Sequence, residues 1–251
     1  MKNYILVWIM SFSSVLMAQE LTANQILTKV MNRIEGLNYS FELDILKTQK
    51  GKPNKEKRLK VSAYWPKLGK VSCMSFVETL APDNLKDVRL WEHRFKDGSK
   101  AQRWMTMPIT GKLKDVSNKL ASQYEFNLSE LEITPNIISS HNNQIIGSEK
   151  IWGRDAIIVE SIKTKGKKVH KKVWIDSAEF FVVKAEFYTK SGRLSKTIDM
   201  SELTESNGVI FPQKIEVEDL RKKIRFFVNI ENLNTQLQIA ASEFQPKALQ
   251  K

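Results

Sequence analysis

The sequence predicts a mainly β protein, an antiparallel barrel or sandwich, on three observations. Beyond about residue 40 the apolar residues recur at every second position, the period of a half-buried strand. Short turn signals such as Lys96-Asp97-Gly98-Ser99, Lys190-Ser191-Gly192 and Ser206-Asn207-Gly208 separate these runs. No helical pattern intervenes between them, which excludes a parallel α/β arrangement. The length of 251 residues fits one large β domain.

In chain order, the first element is an export signal. Met1-Lys2-Asn3 supplies a positive charge, and an apolar run from Ile5 to Met17 follows. That run is shorter than the roughly 20 residues a membrane-spanning helix needs. It ends in Leu16-Met17-Ala18, so residues 1–18 read as a signal peptide cleaved after Ala18, with an uncleaved anchor helix as the alternative. Gln19 rather than Cys follows, so no lipid anchor is expected, and the domain 19–251 is expected to be soluble and periplasmic.

A helix is predicted over Ala23–Glu35. Thr22 and Gln25 have capping-box spacing, Ile26, Val30 and Ile34 share a face, and Gly36 is placed to end it. Strands are then expected around Phe41–Ile45, Leu59–Trp65, Val71–Leu80, Val88–Phe95 and Gln102–Met107. The second set is Asp155–Ile162, Val169–Ile175, Phe180–Tyr188, Val209–Val217 and Ile224–Ile230. Between the sets, Ile109 to Gln144 is polar and irregular and reads as an insertion over one barrel end. Short helices are expected in it at Ser117–Gln123 and Asn127–Leu131.

The net charge of +12 raises nucleic acid as a partner. The lysines, however, are spread through turn-like stretches such as Lys47 to Lys52 and Lys163 to Lys168, with no arginine-rich helix. Solvated loops facing an anionic membrane surface fit better, and no nucleic-acid partner is expected. Cys73 is alone in a strand-like run, so it forms no internal disulfide and reads as a buried bystander. His93, His141 and His170 lack metal-ligand spacing. No nucleophile elbow, phosphate loop or dinucleotide fingerprint occurs. No catalytic residue, metal or cofactor is expected, and the protein is not read as an enzyme.

Function is therefore sought among the apolar strand residues. Met74, Phe76, Trp104, Met105, Met107, Val183, Phe187, Phe226 and Val228 are the candidate liners of a lipid-binding hollow. Small barrels fill with such side chains and wider ones hold a ligand, so core and pocket both remain open on pattern alone. Methionine suits varied acyl chains, being flexible and polarizable. Strand alternation admits one parity inward, so Trp104 and Met105 cannot both line the same surface.

Several segments together resemble a known family. They are Phe76 to Leu90 with its Ala81-Pro82 turn, Gln102-Arg103-Trp104-Met105-Thr106-Met107-Pro108, Gly111 to Lys114 and Tyr124 to Leu131. Val173-Trp174-Ile175-Asp176, Phe211-Pro212 and Phe244 continue the pattern. This is similar to the outer-membrane lipoprotein-sorting proteins, the LolA/LolB-like family. The resemblance implies an incompletely closed, strongly curved antiparallel β-barrel, with the N-terminal helix and short helices as a lid. It further implies a periplasmic carrier that shelters acyl chains of lipoprotein or lipid, supplied by an inner-membrane transporter or exporter. A lipid-sensing or exporter-accessory module of the same fold is the alternative.

Overall fold

The structure is a computed structural model that describes residues 21–86, 88–107, 110–118 and 133–247. The expected signal peptide, most of the helix expected at Ser117–Gln123 and all of that at Asn127–Leu131 lie outside the described residues.

Helix α1 spans Ala23–Asn32. Thr22 caps it as its spacing foretells: the Thr22 hydroxyl accepts from the Gln25 backbone N–H, and the Gln25 side chain accepts from the Thr22 N–H at 2.8 Å. The helix stops three residues before Glu35, and Gly36 takes the left-handed conformation at φ 81° in the turn that follows.

Among the described residues thirteen strands follow: β1 (Tyr39–Gln49), β2 (Lys52–Tyr64), β3 (Val71–Ala81), β4 (Arg89–Phe95), β5 (Gln102–Thr106) and β6 (Leu113–Asp115). After helix α2 (Pro135–Ser139) come β7 (His141–Ile151), β8 (Arg154–Lys163), β9 (Val169–Asp176) and β10 (Val182–Tyr188). The last are β11 (Leu194–Ser206), β12 (Val209–Asp219) and β13 (Ile224–Asn234). They form one antiparallel sheet in the order β6-β5-β4-β3-β2-β1-β13-β12-β11-β10-β9-β8-β7. Pairing of β1 with β13 joins the two meanders, and the strongly curved sheet stays open between β6 and β7.

All ten expected strands are present, and three more were not read from the pattern. The stretch Ile109–Gln144 is accordingly not one irregular insertion, since it contains β6, α2 and the start of β7. Strand β6 has three residues, too few to show a period. Strand β7 is an edge strand with few apolar residues, and a register shift between Ile145 and Gly147 breaks its alternation. In β11 the buried apolar alternation is limited to Ile198 and Met200, and Glu202 beyond them has a φ of 47°. Phe180 and Phe181, expected to open β10, lie in the turn before it, Phe180 with a φ of 51°.

Candidate functional site: the inner face of the sheet

Antiparallel register decides which side chains share a face, because directly opposed residues point the same way. One row runs Phe41, Val61, Val77, Leu90, Met105 from β1 outward to β5. A second runs Phe226, Val217, Ile198, Ala185, Val173, Val159, Ile145 from β13 outward to β7. Leu43 opposite Ile230 and Ile45 opposite Val228 connect them. Helix α1 lies on this face: Ala23, Ile26 and Leu27 are buried in one cluster with Phe41, Leu43, Ile45, Phe226 and Val228. Ile26 is 1 % exposed and Leu27 3 %, and burying such side chains gives about 1.5–3 kcal/mol each. Ile133 and Ile138, the latter in α2, pack against the same cluster.

The opposite row contains Ser62, Phe76, Trp91 and Trp104, and beside it Tyr64, Met74 and His93. This outer face has its own cover. The C-terminal turn Ala241–Phe244 lies across it, with Phe244 stacked on Tyr64 at 5.5 Å and the His93 ring Nε2 2.8 Å from the Phe244 carbonyl. Phe76 packs on Trp91 at 5.3 Å, and Trp104 meets His93 edge-on at 5.0 Å.

The nine candidate liners are thus divided. Met105, Phe187, Phe226 and Val228 belong to the inner face, and Met107 packs beside Met105, Val88 and Val116 in a smaller cluster. Met74, Phe76 and Trp104 turn outward beneath the C-terminal turn, and the physical reason is strand parity. Val183 is displaced by a register shift between Val182 and Lys184, which turns it into a cluster with Ala156, Trp174 and Phe181. Phe41, Leu43, Ile45, Leu90, Ile198, Met200, Ile215 and Val217 share the inner face and were not among the candidates. Their alternation was visible in sequence, and following one parity through every run would have found them.

Polar contacts place α1 at both ends. The Arg33 guanidinium donates to the Ile210 carbonyl at 2.6 Å and lies 5.5 Å from the rings of Phe181 and Phe211. At the other end the Asn143 amide donates to the Asn24 side chain at 2.9 Å and accepts from Ser161 at 2.7 Å. Lys29 sits 4.6 Å over Phe180.

The inner face also holds an ion cluster around the buried Glu92. Glu92 lies opposite Ser75 and Arg103, in step with Leu90 and Met105. Its carboxylate accepts from Arg94 Nε at 2.6 Å and from Arg103 Nε. Burial pushes the Glu92 carboxyl up, and the two guanidinium charges with their hydrogen bonds outweigh it, leaving it below the ordinary carboxylate range. Among the described residues no group of three or more His, Cys, Asp or Glu is placed to hold a metal ion. The arrangement is an apolar surface covered by the short helix α1.

Comparison with known proteins agrees with this geometry. No curated protein matches the chain by sequence. A DUF1329 family protein from Desulfovibrio piger superposes with a TM-score of 0.76 at 17 % identity, covering 91 % of this chain and 98 % of that one. An outer membrane lipoprotein-sorting protein domain from Vibrio parahaemolyticus gives 0.73 at 17 % identity, covering 88 % and 95 %. A LolA superfamily protein from Nitrosomonas europaea gives 0.66 at 18 % identity, covering 92 % and 100 %. In sequence, the model of a family described as uncharacterized protein matches residues 72–251, well over half of the chain. The chain belongs to that family, and its fold is that of the LolA-like outer-membrane lipoprotein-sorting proteins.

Proposed function

We propose that this protein is an exported, non-enzymatic carrier that shelters the acyl chains of a lipoprotein or lipid on the inner face of its sheet, in outer-membrane lipoprotein sorting. The observation that carries the reading is the apolar inner face of an unclosed sheet, covered by a ten-residue helix and not by a second sheet. Acyl chains gain about 0.8 kcal/mol per buried CH₂, so such a surface holds lipid with no covalent chemistry. The chain enters as α1 lifts, and takes the place that Ile26 and Leu27 fill in the closed form. Met105, Met107, Phe187, Phe226 and Val228 are the proposed liners, joined by Phe41, Ile45, Ile198 and Val217. A signal peptide over 1–18 delivers the protein to the periplasm, where an inner-membrane transporter or exporter loads it. Among the described residues no helix is long and apolar enough to cross a membrane, in keeping with a carrier that leaves the bilayer.

The test is native lipid content. Protein exported to a periplasm and isolated without detergent is expected to carry acylated lipid detectable by mass spectrometry. The Phe226→Arg variant is expected to lose it while keeping its far-ultraviolet circular dichroism. Wild-type protein that carries no lipid and takes up no fluorescent acyl probe contradicts the carrier reading.

A further inference from the structure

The charge of this molecule is concentrated at one end. Register places four hairpin turns side by side: Gln49 opposite Ile224 brings the β1–β2 and β12–β13 turns together. Lys196 opposite Asp219 adds the β10–β11 turn, and Phe187 opposite Lys171 adds the β8–β9 turn. These are eight consecutive strands of the sheet, so at about 4.8 Å per strand their tips form a rim of about 34 Å. Cross-links fix the tips to one another: Lys168 Nζ donates to the Ser191 carbonyl at 2.9 Å, and the Leu220 N–H to the Ser195 carbonyl at 3.0 Å.

Segments 47–57, 163–172, 189–196 and 219–225 together hold 18 of the 40 Lys and Arg and 2 of the 28 Asp and Glu. The rest of the chain is net acidic, so the formal charge of +12 understates the rim. Lys50, Lys165, Lys167, Lys190, Arg221 and Lys223 stand exposed at the tips. Leu194 and Leu220, 38 % and 40 % exposed, lie among them. Between the β1–β2 and β12–β13 hairpins is a recess of about 410 Å³ lined by Thr48, Gln49, Lys50, Asn54, Leu220, Lys223 and Arg225, with Glu218 at its side.

We infer that this rim docks on an anionic phospholipid bilayer, with headgroup phosphates meeting the lysines and one seated in the recess. Charge complementarity selects the partner class, and the two exposed leucines among cations suit a membrane interface. A nucleic acid fits less well, since the four segments contain no Phe, Tyr or Trp on which bases could stack. The inference deepens the carrier reading: Phe187 and Phe226, paired with Lys171 and Lys47 near the rim, are the first inner-face rings a chain leaving the bilayer would meet.

Flotation of the purified protein with vesicles tests it. Wild type is expected to float with phosphatidylglycerol–phosphatidylcholine vesicles at low salt and not with pure phosphatidylcholine. Reversing Lys165, Lys167 and Lys168 to Glu, or Arg221, Lys222 and Lys223 to Glu, is expected to weaken flotation roughly tenfold or more. Reversing Lys67, Lys70 and Lys96 at the opposite end is expected to leave it nearly intact. Equal loss in both sets reduces the effect to net charge and overturns the rim. Equal flotation with neutral vesicles, or tighter binding to a DNA duplex at the same salt, overturns it as well. Acyl-probe uptake in solution separates the two proposals: a rim variant that stops floating yet still takes up probe supports both, and loss of uptake by wild type fails the carrier reading alone.

Discussion

At the scale of single residues, the faces of the sheet set what each substitution does. Phe187 is half-buried on the inner face beside Lys171, whose ammonium lies 5.8 Å from its ring. Phe187→Arg is expected to cut acyl-probe uptake at least tenfold, with a melting temperature close to wild type. Trp104→Gln, on the outer face, is expected to leave uptake unchanged. Glu92→Gln removes the buried anion that two half-buried guanidinium groups share, and is expected to cost about 1.5–2 kcal/mol in urea unfolding. Glu92 has a folded-state pKa below its unfolded one, so its stabilisation is present above the ordinary value of 4.5 and is lost as pH falls below it. The acid limb of the stability curve should therefore be flatter in Glu92→Gln.

His170 adds a second pH window. Burial first, then the charges of Lys163, His141 and Lys171, hold it down to about 4, and it stacks on His141 at 5.3 Å. Protonation therefore favours the unfolded chain, and stability is expected to decline as pH falls from about 6.5 towards 4. The ring proton shifts of His170 across that range check this directly, and His170→Gln should remove the slope. These residues also show what sequence could and could not reveal. The alternation of Phe41, Leu43 and Ile45 is written in the chain, but the facing of Met105 against Trp104 depends on register with β4, a long-range fact. The Glu92 cluster was hidden for the same reason, since Arg103 reaches the carboxylate only once β4 pairs with β5.

At the scale of elements, α1 is both the best-read part and the part expected to move. Its cap was legible because Thr22 and Gln25 act on each other within one turn, with no tertiary information required. Strands β6 and β7 were not legible, because what orders them is pairing with a neighbour, not burial of an alternating face, and in β11 the buried alternation is limited to Ile198 and Met200. Thr22→Ala is expected to destabilise α1 by about 1 kcal/mol, seen as faster amide exchange in Ala23–Asn32. If α1 is the cover, stopped-flow uptake of an acyl probe should speed up in the same variant. Unchanged uptake kinetics with faster exchange would remove α1 from that role.

At the scale of the whole molecule, openness of the sheet is the property from which the rest follows. The sheet stays unclosed between β6 and β7, and the short helix α1, not a further strand, covers its inner face. The mainly β, incompletely closed architecture was foreseen from period-two patterning together with family resemblance. The uneven charge was not, because lysines scattered along the chain become neighbours only when eight strands align. The most direct measurement of the central claim is photo-crosslinking from a lipid whose acyl chain bears a diazirine, followed by peptide mapping. Label is expected on inner-face positions of β1, β12 and β13, around Ile45, Val217 and Phe226. Label confined to Phe76, Trp91 and Trp104 on the outer face, or no label at all, would contradict it.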